Sequence, residues 1–295
     1  MDPLFVTLLL NRIDTELTAE RVMAQVEKDW GADLALEYES YGVDLLPAAD
    51  EPEPDAENVA LVFRFDDTFI AATQVSMNGE VEIAAAAEDS PLWDQSLPLP
   101  DASGDSLVIT AISLNEIEAV DDEQLLGSES DPIEEATLLS RVTASIAACT
   151  DSISGIFMVS SELLATPNSY RQAALDVTPS LPLILWVDLM ISTDSGISAA
   201  ETYGMASLGL YEVEIAPSDL PADDVAKVLV DTAVMIYDEG PIIQDGDLVE
   251  TEIGNMEAHI GLGKYEDEES RLYLTPVAPP ANRAERRAAG RKKGS

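Results

Sequence analysis

Asp188, Glu212, Asp245 and Asp247 are the side chains of this 295-residue chain whose types and placing come nearest to chemistry. Carboxylates are hard oxygen donors; four of them converging would hold a divalent cation or supply acid–base groups to a hydrolytic site. Asp188 stands in an apolar run (residues 183–191), where an ionised carboxylate is costly. It should pair with Arg171, Arg141 or a backbone amide, or else sit at a strand end. Asp245-Gly246-Asp247 has turn chemistry, because glycine supplies a positive φ and aspartate binds local amides. Trp186, two residues before Asp188, joins them as a candidate binding residue. No twelve-residue calcium loop fixes their spacing, so a structural role for each stands beside the functional one.

Other chemistries find fewer parts. The chain has one histidine, His259, and one cysteine, Cys149, which rules out a zinc site built on those residue types. In Met256-Glu257-Ala258-His259-Ile260, alternation puts His259 on the polar face with Glu257. A serine triad would have to use this histidine, and no Gly-x-Ser-x-Gly elbow is present. No phosphate loop or dinucleotide fingerprint appears. Paired carboxylates for glycoside chemistry stay open among 57 acids, but aromatic residues at 5% offer no obvious sugar platform. No cofactor is expected.

The elements that must position these residues are legible from punctuation and periodicity. Residues 4–10 read as a buried strand. Thr18 caps a helix carrying Val22, Met23, Val26 and Trp30 on one face, and Gly31 ends it. Residues 47–58 form a charged, proline-bearing loop. Residues 59–65 and 69–75 pair as a hairpin across Asp66-Asp67-Thr68. A second unit is expected to begin at Leu107, whose run (residues 107–115) weakly echoes residues 4–11. Asp131-Pro132 with Glu134 starts a helix toward Thr150, with Cys149 in line with Leu138, Val142 and Ile146 on its buried face. A helix follows Thr166-Pro167. Residues 183–191 read as a strand covered on both faces, and residues 203–215 as a further strand region. Residues 221–238 form a helix with Val225, Val228, Leu229, Thr232 and Ile236 facing inward. Strands near 248–253, 256–262 and 271–274 complete the chain. The class is α+β: two lobes of mixed or antiparallel sheet with helices packed on one side, residues 1–100 and 101–275, then a disordered basic tail at 276–295.

Charge is divided along the chain. Residues 1–275 hold 56 acidic and 9 basic side chains, a formal charge of −47; residues 276–295 hold Arg283, Arg286, Arg287, Arg291, Lys292 and Lys293 against Glu285, a formal charge of +5. Apolar residues at 46% are enough for a core, so the acids are read as a solvated surface on a folded body. Such a body repels nucleic acid and anionic membranes and favours a basic protein partner or a salty solvent. The tail is expected to fold loosely onto the body, with RNA, ribosome or membrane contact as the alternatives. Scarce lysine with abundant acid fits a halophile or a protein of a GC-rich bacterium. The apolar start is short, Asp2 stands where a signal peptide needs basic residues, and no run approaches the roughly 18 to 20 apolar residues of a membrane span. The expected compartment is the cytoplasm.

Three stretches carry a resemblance. Trp186-Val187-Asp188, then Gly204-Met205-Ala206-Ser207-Leu208-Gly209-Leu210-Tyr211-Glu212, then Glu239-Gly240-Pro241-Ile242-Ile243-Gln244-Asp245-Gly246-Asp247 resemble the bacterial domain of unknown function 4261 family, closest over residues 183–274. Phe69-Ile70-Ala71, Trp93, the strand at Leu107 and the helix before Ser160 follow its layout more loosely. Asp105-Ser106-Leu107 stands where that family has a histidine-bearing strand, and the basic tail lies outside its pattern. The resemblance implies a bacterial, cytosolic, compact α+β protein and brings no activity and no catalytic residue.

Two functions of different class follow. The first is a non-enzymatic interaction protein, of immunity or inhibitor type, whose acidic face binds a basic partner. The alternative is a hydrolase or metal-assisted enzyme built on the carboxylates of the second lobe. Acidity as pure solvent adaptation is a third reading.

Overall fold

A computed structural model describes residues 4–31, 60–65, 68–76, 83–101, 104–113, 131–176, 181–262 and 270–277. The charged loop expected at 47–58, the hairpin tip Asp66-Asp67 and the basic side chains from Arg283 to Lys293 lie outside these residues. The architecture is α+β, with two six-stranded, mostly antiparallel sheets. The chain divides into two compact units: one runs to Asp188 and includes Ser207–Gly209, and the other comprises Leu189–Ala206 and the chain from Leu210. Among the described residues no helix is long and apolar enough to cross a membrane.

In the first unit, strands β1 (Phe5–Leu10), β2 (Ala60–Phe65), β3 (Thr68–Ser76), β4 (Asp105–Ser113), β5 (Ile153–Met158) and β6 (Leu163–Ala165) form an antiparallel sheet ordered β2-β3-β4-β1-β5-β6. Its helices are α1 (Ala19–Trp30), α2 (Ile83–Asp89), α3 (Pro132–Cys149), α4 (Pro167–Asp176) and the single turn α5 (Leu183–Trp186). The expected caps form: Thr18 accepts from the Arg21 amide, and Asp131 from the amides of Ile133 and Glu134. Alternation along β1 sets two cores. Val6 and Leu8 lie in register with Ile109 and Leu107 on one side and with Met158 and Ile156 on the other, and α3 packs over this face. On the opposite face Leu9, Phe157 and Leu164 pack against Ile83, Ala86 and Ala87 of α2 and against Trp93.

Several expectations change here. A lobe boundary was expected near residue 100, but β4 pairs with β1 and β3, so the first unit continues to Asp188. The echo between the two stretches falls on the neighbouring strands β1 and β4, each needing apolar residues on both faces. Residues 183–191 are not one covered strand. Pro182 opens a helical turn, closed by bonds from Leu185 N to Pro182 O (2.9 Å) and Val187 N to Leu183 O (2.8 Å). Cys149 is half-buried rather than enclosed. Leu138, Val142 and Ile146 keep the buried stripe, but Cys149 is the last residue of α3, at the rim. Partial burial pushes its thiol pKa up.

The second unit holds β7 (Asp188–Asp194, divided from the first unit after its first residue), β8 (Ile197–Tyr203), β9 (Glu212–Ser218), β10 (Leu248–Thr251), β11 (Gly254–Leu262), β12 (Ser270–Pro276) and helix α6 (Ala222–Glu239). Strand order is β10-β11-β12-β9-β8-β7, with β12 parallel to β9. Val225, Val228, Leu229, Thr232 and Ile236 of α6 are buried as expected, and the helix packs on β8 and β9. Each apolar one stabilises by about 1.5–3 kcal/mol when fully buried. The strand region expected at 203–215 is broken. Gly204 (φ 113°) and Gly209 (φ 74°) take backbone conformations that side chains disfavour, and a 3-10 turn at Ala206–Leu208 separates β8 from β9.

Candidate functional site

Glu212 is the first residue of β9, and its carboxylate points back into the turn that precedes it. Thr202 Oγ1 donates to Oε2 at 2.6 Å, while the amides of Gly204 and Ala206 donate to Oε1 at 2.8 and 3.1 Å. Thr202 Oγ1 in turn accepts from the Val213 amide at 2.8 Å. Glu212 is 6% exposed. Burial pushes its pKa above the ordinary carboxylate range, against the lowering effect of those three donors and of the nearby Arg271 charge. With three of its roughly four acceptor positions taken, the group holds a loop closed and has little capacity left for a ligand.

Asp245 and Asp247 do similar work in the open. Asp245 Oδ1 accepts from the Ile260 amide at 3.0 Å and lies 3.4 Å from His259 Nδ1. Asp247 Oδ2 accepts from the Gln244 amide at 2.9 Å. Gly246 N donates to Ala258 O (2.7 Å) and Ala258 N to Asp247 O (2.9 Å), so the turn is stitched alongside β11. His259 and Glu257 are exposed while Met256 and Ala258 are buried, as alternation required.

The four carboxylates do not assemble. From the Asp245 turn the sheet runs through β11 and β12 before reaching β9, three strand spacings or roughly 14 Å from Glu212. Asp188 is half-buried at the first position of β7, with β8 between it and β9. Among the described residues no three His, Cys, Asp or Glu side chains form a metal-holding group. Trp186 is fully buried, and its indole donates to Ser140 Oγ of α3 at 2.7 Å, a core position in the first unit. A cavity of about 20 Å³ lined by Leu107, Ile146 and Gln74 has room for a single water.

Both arginines named for Asp188 make contacts within the first unit. Arg171 forms a two-pronged pair with Asp29, both bonds 2.6 Å, and donates to Ala144 O at 3.0 Å. Arg141 stands over the Trp30 ring at 5.5 Å. Gln25 and Ser145 add bonds to Asp29 at 2.8 and 3.2 Å, so α1, α3 and α4 are tied at one point. Burial opposes ionisation of Asp29, but the Arg171 and Gln25 bonds and the guanidinium charge win and hold its pKa below the ordinary range.

A surface feature escaped the sequence. Among the described residues strand β7 is the last strand of its sheet, and residues Met190 to Asp194 are all exposed. Met190 and Ile191, which point to opposite faces, are 43% and 45% exposed, and Ile197 on β8 is 44% exposed. The apolar run that contains Met190 and Ile191 reads as interior; only strand order reveals an edge.

Comparison with protein families matches residues 201–268 to a domain of unknown function (DUF4261), a segment inside the 183–274 stretch that carried the resemblance. Neither the search of curated proteins nor that of solved structures returned a match. The matched segment contains Glu212 and the Asp245–Asp247 turn and leaves out Trp186 and Asp188. From the end of β8 through β11, then, this chain resembles that family, and within the matched segment Glu212, Asp245 and Asp247 each accept a backbone amide.

Proposed function

We propose that this chain is a non-enzymatic interaction protein whose acidic body receives a basic partner protein, in the manner of an immunity or inhibitor protein. The observation that supports it is where the carboxylates go. Glu212 and Asp29, both enclosed, are committed to structural partners. Asp223, Asp231, Asp238 and Glu239 of α6, and Glu250, Glu252 and Glu257 of β10, β11 and their turn, are exposed. Opposite charge on a partner would be drawn to such a surface and encounter it faster, while nucleic acid would be repelled. A bacterial, cytosolic setting belongs to the same proposal, supported by the free Cys149 thiol and the family resemblance.

The test begins with the immobilised full chain, loaded with cell extract at low salt and eluted in steps. A basic protein should elute, and once purified it should bind with a Kd that rises with salt. The triple substitution Asp223→Asn, Asp231→Asn, Asp238→Asn should slow its association. If no basic protein is retained and the chain's stability climbs steadily toward molar salt, acidity is solvent adaptation and the interaction reading falls.

A further inference from the structure

The exposed edge of the second sheet has properties that acidity alone does not explain. Edge strands present unpaired backbone donors and acceptors, and proteins blunt them with proline, lysine, bulges or brevity. The opposite edge, β10, has four residues and carries Glu250. In the first unit, β6 is three residues long and buried throughout. Strand β7, Asp188-Leu189-Met190-Ile191-Ser192-Thr193-Asp194, has seven residues and none of those devices in its middle. Among the described residues no strand lies beyond it, and alternate residues along 190–194 turn their N–H and C=O groups off the sheet. Apolar side chains stand exposed on both faces of that edge, Met190 on one and Ile191 on the other. The two-residue turn Ser195-Gly196, with φ of 51° and 81°, closes the hairpin that joins β7 to β8.

Charge decides what fits. The hairpin from Asp188 to Tyr203 contains Asp188, Asp194 and Glu201 and no basic residue. Antiparallel pairing with a second copy would bring Asp188 of one chain opposite Asp194 of the other, and like charges facing across strands are destabilising. A segment with lysine or arginine at those positions gains where the second copy loses.

We infer that β7 is the docking edge for the partner: an extended segment of a basic protein, alternating cationic with apolar residues, adds to the sheet as a seventh strand beside β7. Main-chain bonds give the affinity, Met190, Ile191 and Ile197 give apolar contact, and the flanking aspartates select charge. The inference rests on the proposed function for the partner's charge, and on the edge alone for the mode of docking.

The test uses the full chain and fluorescent octapeptides at low salt: one alternating lysine with valine and threonine, one with the valines replaced by proline, and one with threonine and serine in place of lysine. The variants are Ile191→Pro and Ser192→Pro. Neighbouring residues point their N–H groups in opposite directions, so one of these prolines removes an edge donor without touching the β7–β8 ladder. Amide spectra identify the variant that stays folded. The lysine–valine peptide should bind at least about tenfold tighter than either control, and the folded proline variant should abolish that margin. If the lysine–valine and proline peptides bind alike and neither variant changes them, attraction is by charge alone: the edge assignment falls and the acidic-body reading stands. If the uncharged peptide binds as well as the basic one, strand addition stands and the basic partner is overturned. Two further results would replace the occupant. A concentration-dependent dimer lost in the proline variant would make it a second copy. A tenfold gain in peptide affinity on removing residues 278–295 would make it the chain's own basic segment.

Discussion

Each unit turns a carboxylate inward, and the two behave oppositely. The Asp29 side chain is 5% exposed in a residue that is half-buried as a whole, and Glu212 is buried; Asp29 is held below the ordinary carboxylate pKa and Glu212 is pushed above it. Both have three or more donors. Two things differ: Glu212 is the more deeply buried, and Asp29 has a guanidinium in contact with both oxygens, whereas Glu212 is met by a hydroxyl and two amides, with Arg271 contributing only at a distance. Neutral donors can satisfy a buried carboxylate geometrically without repaying its desolvation; a cation in contact can. The ion pair therefore works as a charged clamp between helices, and Glu212 as a polar clip inside one loop.

Removing the cation is the harshest way to break this comparison. Arg171→Met leaves the Asp29 charge enclosed with two weak donors, and the first unit should lose about 3–5 kcal/mol. All three tryptophans, Trp30, Trp93 and Trp186, belong to the first unit, so urea unfolding followed by their fluorescence reads that unit specifically. The double variant Asp29→Asn with Arg171→Met should recover much of the loss, because the stranded charge is gone. A single variant within about 0.5 kcal/mol of wild type would mean that water reaches Asp29 and that the clamp is only a surface pair.

Glu212→Ala comes next. It strands the Gly204 and Ala206 amides and should cost about 2 kcal/mol, with hydrogen exchange at those two amides accelerating before the rest of the unit. Glu212→Gln keeps one oxygen for the amides and should cost about half as much. The pH dependence sharpens the contrast because the signs differ. Asp29 has a lowered folded pKa, so its contribution is complete above the ordinary value of about 4 and is lost as pH falls through the lower folded value. Glu212 has a raised folded pKa, so its contribution is complete below about 4 and is lost as pH rises through the higher folded value. Fluorescence-detected stability of the first unit should fall in acid, and the fall should be reduced in Asp29→Asn. Protection of the Gly204 and Ala206 amides, corrected for intrinsic exchange, should rise as pH drops toward 4. Parallel trends in the two units would remove the distinction.

Local signals were legible in the sequence because their physics is local. Thr18, Asp131-Pro132 and Gly240 mark helix ends through bonds within a few residues, and the inward stripe of α6 follows from periodicity alone. What was lost depends on strand order and distant pairing. Residues 183–191 contain enough apolar side chains for a buried strand, but a helical turn after Pro182 uses the first half and an exposed edge the second, and a hydrophobic run is the same in either case. Asp29 and Arg171 are 142 residues apart, and nothing near either one names its partner. Asp188 was read correctly as a possible strand end. The expected convergence of Glu212 with Asp245 and Asp247 failed because two strands lie between them, a fact carried only by the β9–β12 pairing. The loop-closing role of Glu212 had a visible sign in the two glycines before it, which signal a tight turn needing amide acceptors.

The mildest test moves to an exposed carboxylate in the same family-matched segment. Asp245 is 68% exposed, yet like Glu212 it accepts a backbone amide, that of Ile260. If burial rather than residue type sets the cost, Asp245→Asn should change stability by less than about 0.5 kcal/mol, since the amide oxygen still accepts from Ile260 and water replaces the His259 contact. Asp245→Ala should cost somewhat more, about 0.5–1 kcal/mol, and hydrogen exchange at Ile260 should rise locally. Read by hydrogen exchange across β11, both effects should stay well under that of Glu212→Ala. An Asp245→Asn penalty as large as that of Glu212→Ala would show that charge at this turn, and not enclosure, controls the segment; the contrast between clamp and clip would then have to be rebuilt on long-range fields.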